Sequence, residues 1–131
     1  MQVSNGSERV EMEFYIGAQV LTEFADELEN FPKHRDYVFL WEAGSEVPED
    51  RWAYYLRIRA FCLDATGHCA IQIRWNNNQK LPDKVITDFC ILAEAGQINR
   101  LGKLFRGFSK LEHRVLEWYI NDGKLIEEYH A

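Results

Sequence analysis

Tyr54-Tyr55-Leu56-Arg57-Ile58-Arg59-Ala60-Phe61-Cys62-Leu63-Asp64-Ala65-Thr66-Gly67-His68-Cys69-Ala70-Ile71-Gln72-Ile73-Arg74-Trp75 is the stretch that decides the fold. Tyr54, Leu56, Ile58, Ala60 and Cys62 share one parity; Cys69, Ile71, Ile73 and Trp75 share another. A period of two marks a half-buried strand. Between the two runs, Asp64-Ala65-Thr66-Gly67 carries the Asp and Gly that suit a tight hairpin turn. Setting Cys62 opposite Cys69 pairs Ala60 with Ile71, Ile58 with Ile73 and Leu56 with Trp75. Both apolar sets then share one face, whereas a slip of one residue would send them to opposite faces, so the pattern selects its own register. The other face shows Arg57, Arg59, Gln72 and Arg74.

Upstream, residues 1–7 read as a short, mobile polar lead. Val10, Met12, Phe14 and Ile16 alternate with Glu11, Glu13 and Tyr15, a second strand pattern. After Gly17 the spacing changes. Val20, Leu21, Phe24, Leu28 and Phe31 recur at helical intervals, with Glu23, Asp26 and Glu27 opposite, and Pro32 ends the helix. Residues 37–41 are rich in strand formers, and Ala43 to Asp50 reads as a loop.

Downstream, the polar run Asn76 to Lys80 leads to Pro82, and then Val85 to Ala93 is apolar at nearly every position. Such a run predicts a central strand covered on both faces. Gly96 precedes a second amphipathic helix, in which Ile98, Leu101, Leu104, Phe105, Phe108 and Leu111 lie on one face and Arg100, Lys103, Arg106 and Lys110 on the other. Gly102 and Gly107 would each weaken it by about 1 kcal/mol relative to Ala. Asn121-Asp122-Gly123 is a strong hairpin signal, so residues 112–131 read as a C-terminal hairpin extension, with a terminal helix as the rival over 112–120. The whole predicts a single α+β domain over 1–131, with an antiparallel sheet of about five to seven strands and two amphipathic helices.

A chain of 131 residues buries enough surface to be stable without disulfide or metal. No apolar run approaches the roughly 20 residues that span a bilayer, and the N-terminus lacks the basic and apolar regions of a signal peptide. With three cysteines, this points to reduced thiols and a cytoplasmic location. The net charge of −6 is uneven: residues 1–50 hold 12 acidic and 3 basic side chains, and residues 51–131 hold 9 acidic and 12 basic. An acid-rich first part attracts basic partners, or merely keeps a small domain in solution; it makes nucleic acid an unlikely ligand.

The chain has no GxSxG, P-loop, GxGxxG or HExxH pattern. The cysteine and histidine spacings match no zinc template, so no metal, cofactor or catalytic residue is expected. Cys62 and Cys69 read as cross-strand packing residues, with a redox pair as the other reading. Glu42, after Trp41, is a carboxylate set beside an apolar ring but without a recognisable catalytic partner. Arg57, Arg59 and Arg74 would lie within reach of one another. They are either balanced by Asp88 or Glu94 of the next strand, or form a face for an anionic ligand. On that second reading the chain is a small-molecule-binding or enzymatic domain.

The order of segments also resembles a known family. A first strand leads into Val20-Leu21-x-x-Phe24-x-x-x-Leu28. A strand ending Leu40-Trp41-Glu42 follows, then Tyr55-Leu56-Arg57-Ile58, the Asp64-Ala65-Thr66-Gly67-His68 turn, and Gln97-Ile98-x-x-Leu101-x-x-x-Phe105. This arrangement, over roughly residues 10–111, is similar to that of the WapI-type bacterial immunity proteins and related bacterial domains; the hairpin at 112–130 lies outside the likeness. The resemblance implies a non-enzymatic cytoplasmic protein that neutralises a toxin domain of the same cell by direct binding. The motif marks core positions and transfers no contact residues. Charge suggests Glu23, Asp26 and Glu27 on the first helix, with Glu46, Glu49 and Asp50 in the loop, as the surface for a basic protein partner. An exposed edge at 124–129 would offer a route to a homodimer.

Overall fold

The computed structural model describes residues 1–12, 16–112, 115–121 and 124–130; in the last hairpin the side chain of Trp118 alone is described. Its elements are β1 (Gln2–Ser4), β2 (Arg9–Glu11), α1 (Ala18–Glu29), β3 (Phe39–Gly44), β4 (Tyr55–Cys62), β5 (His68–Asn76), β6 (Ile86–Glu94), α2 (Ala95–Phe108), β7 (Val115–Asn121) and β8 (Lys124–His130). All strand pairs are antiparallel. The fold is α+β, as the sequence predicts. The described strands divide into one four-stranded sheet, ordered β3-β4-β5-β6, and two separate hairpins, β1-β2 and β7-β8.

The central hairpin has the register that the apolar pattern selects: Cys62 faces Cys69, Ala60 faces Ile71, Ile58 faces Ile73 and Leu56 faces Trp75. Asp64 shapes the turn by accepting from the Thr66 N–H at 2.8 Å and the His68 N–H at 3.3 Å. The apolar parity forms the inner face, on which both helices pack. Phe24 of α1 sits at the junction, with its ring edge-on to Phe39, Trp41 and Phe105 at centroid distances of 5.6, 5.2 and 5.4 Å. Leu56 and Ile98 are fully buried there.

Three expectations need correction. Residues 2–4 are a strand, not a free lead. Asn5 turns the chain by accepting from the Ser7 and Glu8 N–H groups at 2.9 and 2.8 Å, and Val3 packs on the core. The strand expected through Ile16 is formed over Arg9–Glu11, and residues 13–15 lie outside the described ones. Second, the apolar run at Val85–Ala93 is not central. β6 ends the four-stranded sheet; Phe89 and Ala93 face the core, while Ile86 and Leu92 point outward and are exposed. An apolar outward residue reads like a buried one when only composition is available.

Third, Gly102 does not weaken the fold. A Cβ there would lie 2.5 Å from Glu29 N and 2.8 Å from Leu28 C, so glycine is what lets α2 cross α1 closely. Two further contacts fasten the crossing. Asn99 Nδ2 donates to the Leu28 and Phe31 carbonyls at 2.9 and 2.7 Å, pinning α2 to the last turn of α1 and the residues just after it. Arg106 donates to Glu29 at 2.8 Å and to Asp26 at 2.6 Å. At its other end α2 opens with a capping box between Glu94 and Gln97. The backbone of residues 115–121 is extended rather than helical, and Asn121 faces Lys124 across two residues outside the described set. Trp118 joins this hairpin to α2, its indole N–H donating to the Gln97 carbonyl at 3.1 Å.

Candidate functional site

Both helices occupy the inner face, so among the described residues the outer face of the sheet has no helical layer. Its residues line up in rows set by the register. One row runs Glu42, Arg57, Arg74, Asp88; the next runs Leu40, Arg59, Gln72, Cys90; a third runs Phe61, Ala70, Leu92. Carboxylates stand at both ends of the first row and arginines in its middle.

One end of this face is closed by the loop between β3 and β4. Glu46 reaches over the sheet and accepts from Arg74 at 2.9 and 3.1 Å and from Asn76 Nδ2 at 2.6 Å. The Arg74 hydrogen bonds hold the Glu46 carboxyl below the usual carboxylate range. Asn78 Nδ2 ties the loop down by donating to the Ser45 and Trp52 carbonyls at 2.8 and 3.0 Å. Gly44 turns the strand into this loop with φ +84°, and a Cβ there would collide with the Tyr54 carbonyl oxygen. Beneath the loop Tyr55 donates its hydroxyl to Glu42 at 2.7 Å, and burial together with this bond pushes the phenol up to about 12.

The three arginines therefore differ. Arg74 is clamped between Glu46 and Asp88, so Asp88 supplies the internal counter-ion expected from the next strand. Asp88 also accepts from Gln72 at 2.7 Å. Arg57 and Arg59 make no ion pair among the described residues, and the Nε of each is buried without a hydrogen-bond partner, as is Gln72 Oε1. The Arg59 guanidinium stacks over the Phe61 ring, 4.6 Å from its centroid.

A second feature lies at the other flank of β3. A hollow of about 410 Å³ runs between this strand and α1. Its lining is Phe24 of α1, the run Tyr37–Trp41, and Glu23 and Glu27, which stand one helical turn apart. Glu27 has Lys33 at 3.3 Å, an exposed pair of small energetic weight.

The acidic residues singled out in the sequence do not form one surface. Glu23 and Glu27 share the hollow. Asp26 is turned to Arg106, in the cross-helix pair that complementary helix faces allow. Glu46 is on the outer side of the sheet, across the domain from α1, and is held by Arg74. Asp50 accepts from Ser45 within its own loop at 2.6 Å, and Glu49 is exposed beside it. The ionic partners of Asp26 and Glu46 come from elements remote in sequence, which explains why both looked available. The anchoring roles of Asn76, Asn78 and Asn99 had no sequence signal beyond a polar run and a helical asparagine.

Cys62 and Cys69 are reduced neighbours, their sulfurs 4.0 Å apart, and burial pushes the Cys69 thiol up to about 11. His68 Nδ1 lies 2.7 Å from Asp64 Oδ2, which holds the Asp64 carboxyl well below its ordinary range. A hollow of about 300 Å³ beside this turn is lined by Pro32, His34, Arg35, Cys62, Asp64 and Ala95 among others. Among the described residues no three His, Cys, Asp or Glu side chains gather to hold a metal, and no helix is long and apolar enough to cross a membrane. Compared with protein-family models, curated proteins and solved structures, the chain matches none.

Proposed function

We propose that this chain is a non-enzymatic cytoplasmic binding protein of the immunity type, which neutralises a toxin domain by stoichiometric contact. The observation that carries the reading is the hollow between α1 and β3. It brings the aromatic residues Phe24, Tyr37, Phe39 and Trp41 together with two carboxylates, Glu23 and Glu27. Glu23 makes no ion pair among the described residues, and Glu27 has a single exposed one. A Lys or Arg side chain suits such a site: its aliphatic stem lies along the half-buried Tyr37 and Trp41 while its charge meets the carboxylates. The negative balance of residues 1–50 adds steering toward a basic partner.

The test is coexpression with the toxin domain encoded in a neighbouring reading frame. The wild-type chain restores growth and the Glu23→Lys/Glu27→Lys variant does not, with circular dichroism and thermal melting matching the wild type as the check that the variant folds. Growth restored equally by both forms removes the hollow from the account. Self-association through the edge at 124–129 is a separate proposal, and sedimentation showing a monomer at high concentration excludes it.

A further inference from the structure

Cys62 and Cys69 stand directly opposite each other where β4 and β5 approach their turn. The Leu63 N–H donates to the His68 carbonyl at 2.8 Å, so Leu63 and His68 are a hydrogen-bonded pair and the cysteines next to them a non-hydrogen-bonded one. That is the closer of the two cross-strand arrangements. Its α-carbons lie about 4.5 Å apart, inside the range of about 4.4–6.8 Å that a disulfide spans. The thiols already touch, with sulfurs 4.0 Å apart. Side-chain rotation brings them to bonding distance while the strands keep their register.

The two thiols differ in what reaches them. Cys69 is shut in the core, whereas Cys62 is half-buried and lines the hollow of about 300 Å³ beside the turn. Two cysteines that only filled space would need no such opening. His34 and Arg35 line the same hollow, and a cation nearby favours the thiolate that reacts. Asp64 also lines it, but its carboxylate is engaged by His68 at 2.7 Å. Burial pushes the Cys69 thiol up to about 11, which leaves Cys62 to meet an oxidant first. Cys90 belongs to the opposite face of the sheet, in the row of Leu40, Arg59 and Gln72, and takes no part.

We propose that Cys62 and Cys69 are an oxidisable dithiol whose substrate is hydrogen peroxide, Cys62 taking the oxygen and Cys69 closing the disulfide. The Cys62 thiolate attacks one peroxide oxygen and the O–O bond breaks. The departing hydroxide takes up the proton that Cys62 lost, giving water and a Cys62 sulfenic acid. The Cys69 sulfur then attacks the Cys62 sulfur. An S–S bond forms, the S–O bond breaks, and the second hydroxide leaves with the Cys69 proton as water. The two thiols lose two electrons and the peroxide gains them; a dithiol reductant reverses the change. The closed pair staples β4 to β5 beside the start of α2, where the Ala95 N–H donates to the Gly67 carbonyl at 3.0 Å. The site shares no lining residue with the Glu23/Glu27 hollow.

The experiment treats the full chain with hydrogen peroxide, alkylates the remaining thiols with iodoacetamide in urea, and digests with trypsin. Cleavage after Arg59 and Arg74 leaves both cysteines in one peptide, residues 60–74. The expected result is a peptide two hydrogens lighter and unlabelled, with tryptophan fluorescence native throughout the oxidation. Dithiothreitol before alkylation restores both labels. In Cys69→Ser the sulfenic acid has no resolving thiol, so dimedone captures Cys62 about ten-fold or more above the wild-type level. The mass change is read on wild-type protein, so the test survives a variant that folds poorly. Two labels on this peptide under conditions that oxidise Cys90 would overturn the proposal. So would a link from either cysteine to Cys90, a disulfide that forms only in urea, or equal dimedone capture in the wild type and the variant.

Discussion

Replacing Gly102 by Ala sets two effects of comparable size against each other, and the structure says which wins. In an isolated helix the substitution gains about 1 kcal/mol, because glycine carries the larger backbone entropy cost. Here the new methyl would stand 2.5 Å from Glu29 N and 2.8 Å from Leu28 C. Unstrained non-bonded carbon contacts lie at about 3.5–4.0 Å, so α1 and α2 would have to separate by about 1 Å. Both opposing atoms are backbone and cannot rotate away. Separation loosens the Phe24, Phe105 and Ile98 packing and lengthens the Asn99 and Arg106 bonds to α1. Overpacking of this kind costs about 1–3 kcal/mol, and contact with backbone belongs at the upper end. The net expectation is a loss of about 2 kcal/mol, seen as a lower urea midpoint at unchanged slope and a fall in Tm of roughly 5–10 °C. Gly96→Ala is the control. It lies in the first turn of the same helix with nothing within 4 Å of the added methyl, and it should gain up to about 1 kcal/mol. A Gly102→Ala protein as stable as the wild type would refute the close crossing.

Two other expectations concern titration and reactivity. The Glu46 carboxyl is held below its ordinary value, so its bonds to Arg74 and Asn76 contribute stability above that value and lose it as pH falls through the lowered one. Acid unfolding followed by tryptophan fluorescence should therefore show a shallower loss of stability below about pH 4.5 in Glu46→Gln than in the wild type; identical acid profiles would contradict the clamp. Among the thiols, exposed Cys90 should react first with a thiol reagent at pH 8. Cys69, buried and pushed up to about 11, should stay protected until the protein unfolds. Mass spectrometry of the partly labelled protein distinguishes the order.

The parts of the fold that were legible in the sequence are those fixed by local pattern. A slip of one residue would part Leu56, Ile58 and Ala60 from Ile71, Ile73 and Trp75, and the short Asp64–Gly67 turn fixes where the strands meet, so the central hairpin could be read from the sequence. The helices were legible because their apolar faces repeat at 3.6 residues. The misreadings arise where a residue's role is set by something distant. Leu92 and Ile86 look like core residues until the strand order leaves β6 at an edge. Gly102 looks like a defect until Leu28 and Glu29 arrive against it. Asp26 and Glu46 look like a docking surface until Arg106 and Arg74 claim them. Of the candidate site, the charge types were readable from the sequence, but which charges stay unpaired depends on the tertiary fold.

The claim on which the function rests is that Glu23 and Glu27 meet a basic partner. Calorimetric titration of the neighbouring toxin domain into the wild-type chain and the Glu23→Lys/Glu27→Lys variant tests it most directly. Truncating desolvated interfacial charges costs about 2–5 kcal/mol, and reversing them adds repulsion, so nanomolar binding should weaken by at least about 100-fold. An affinity unchanged by both reversals would contradict the account.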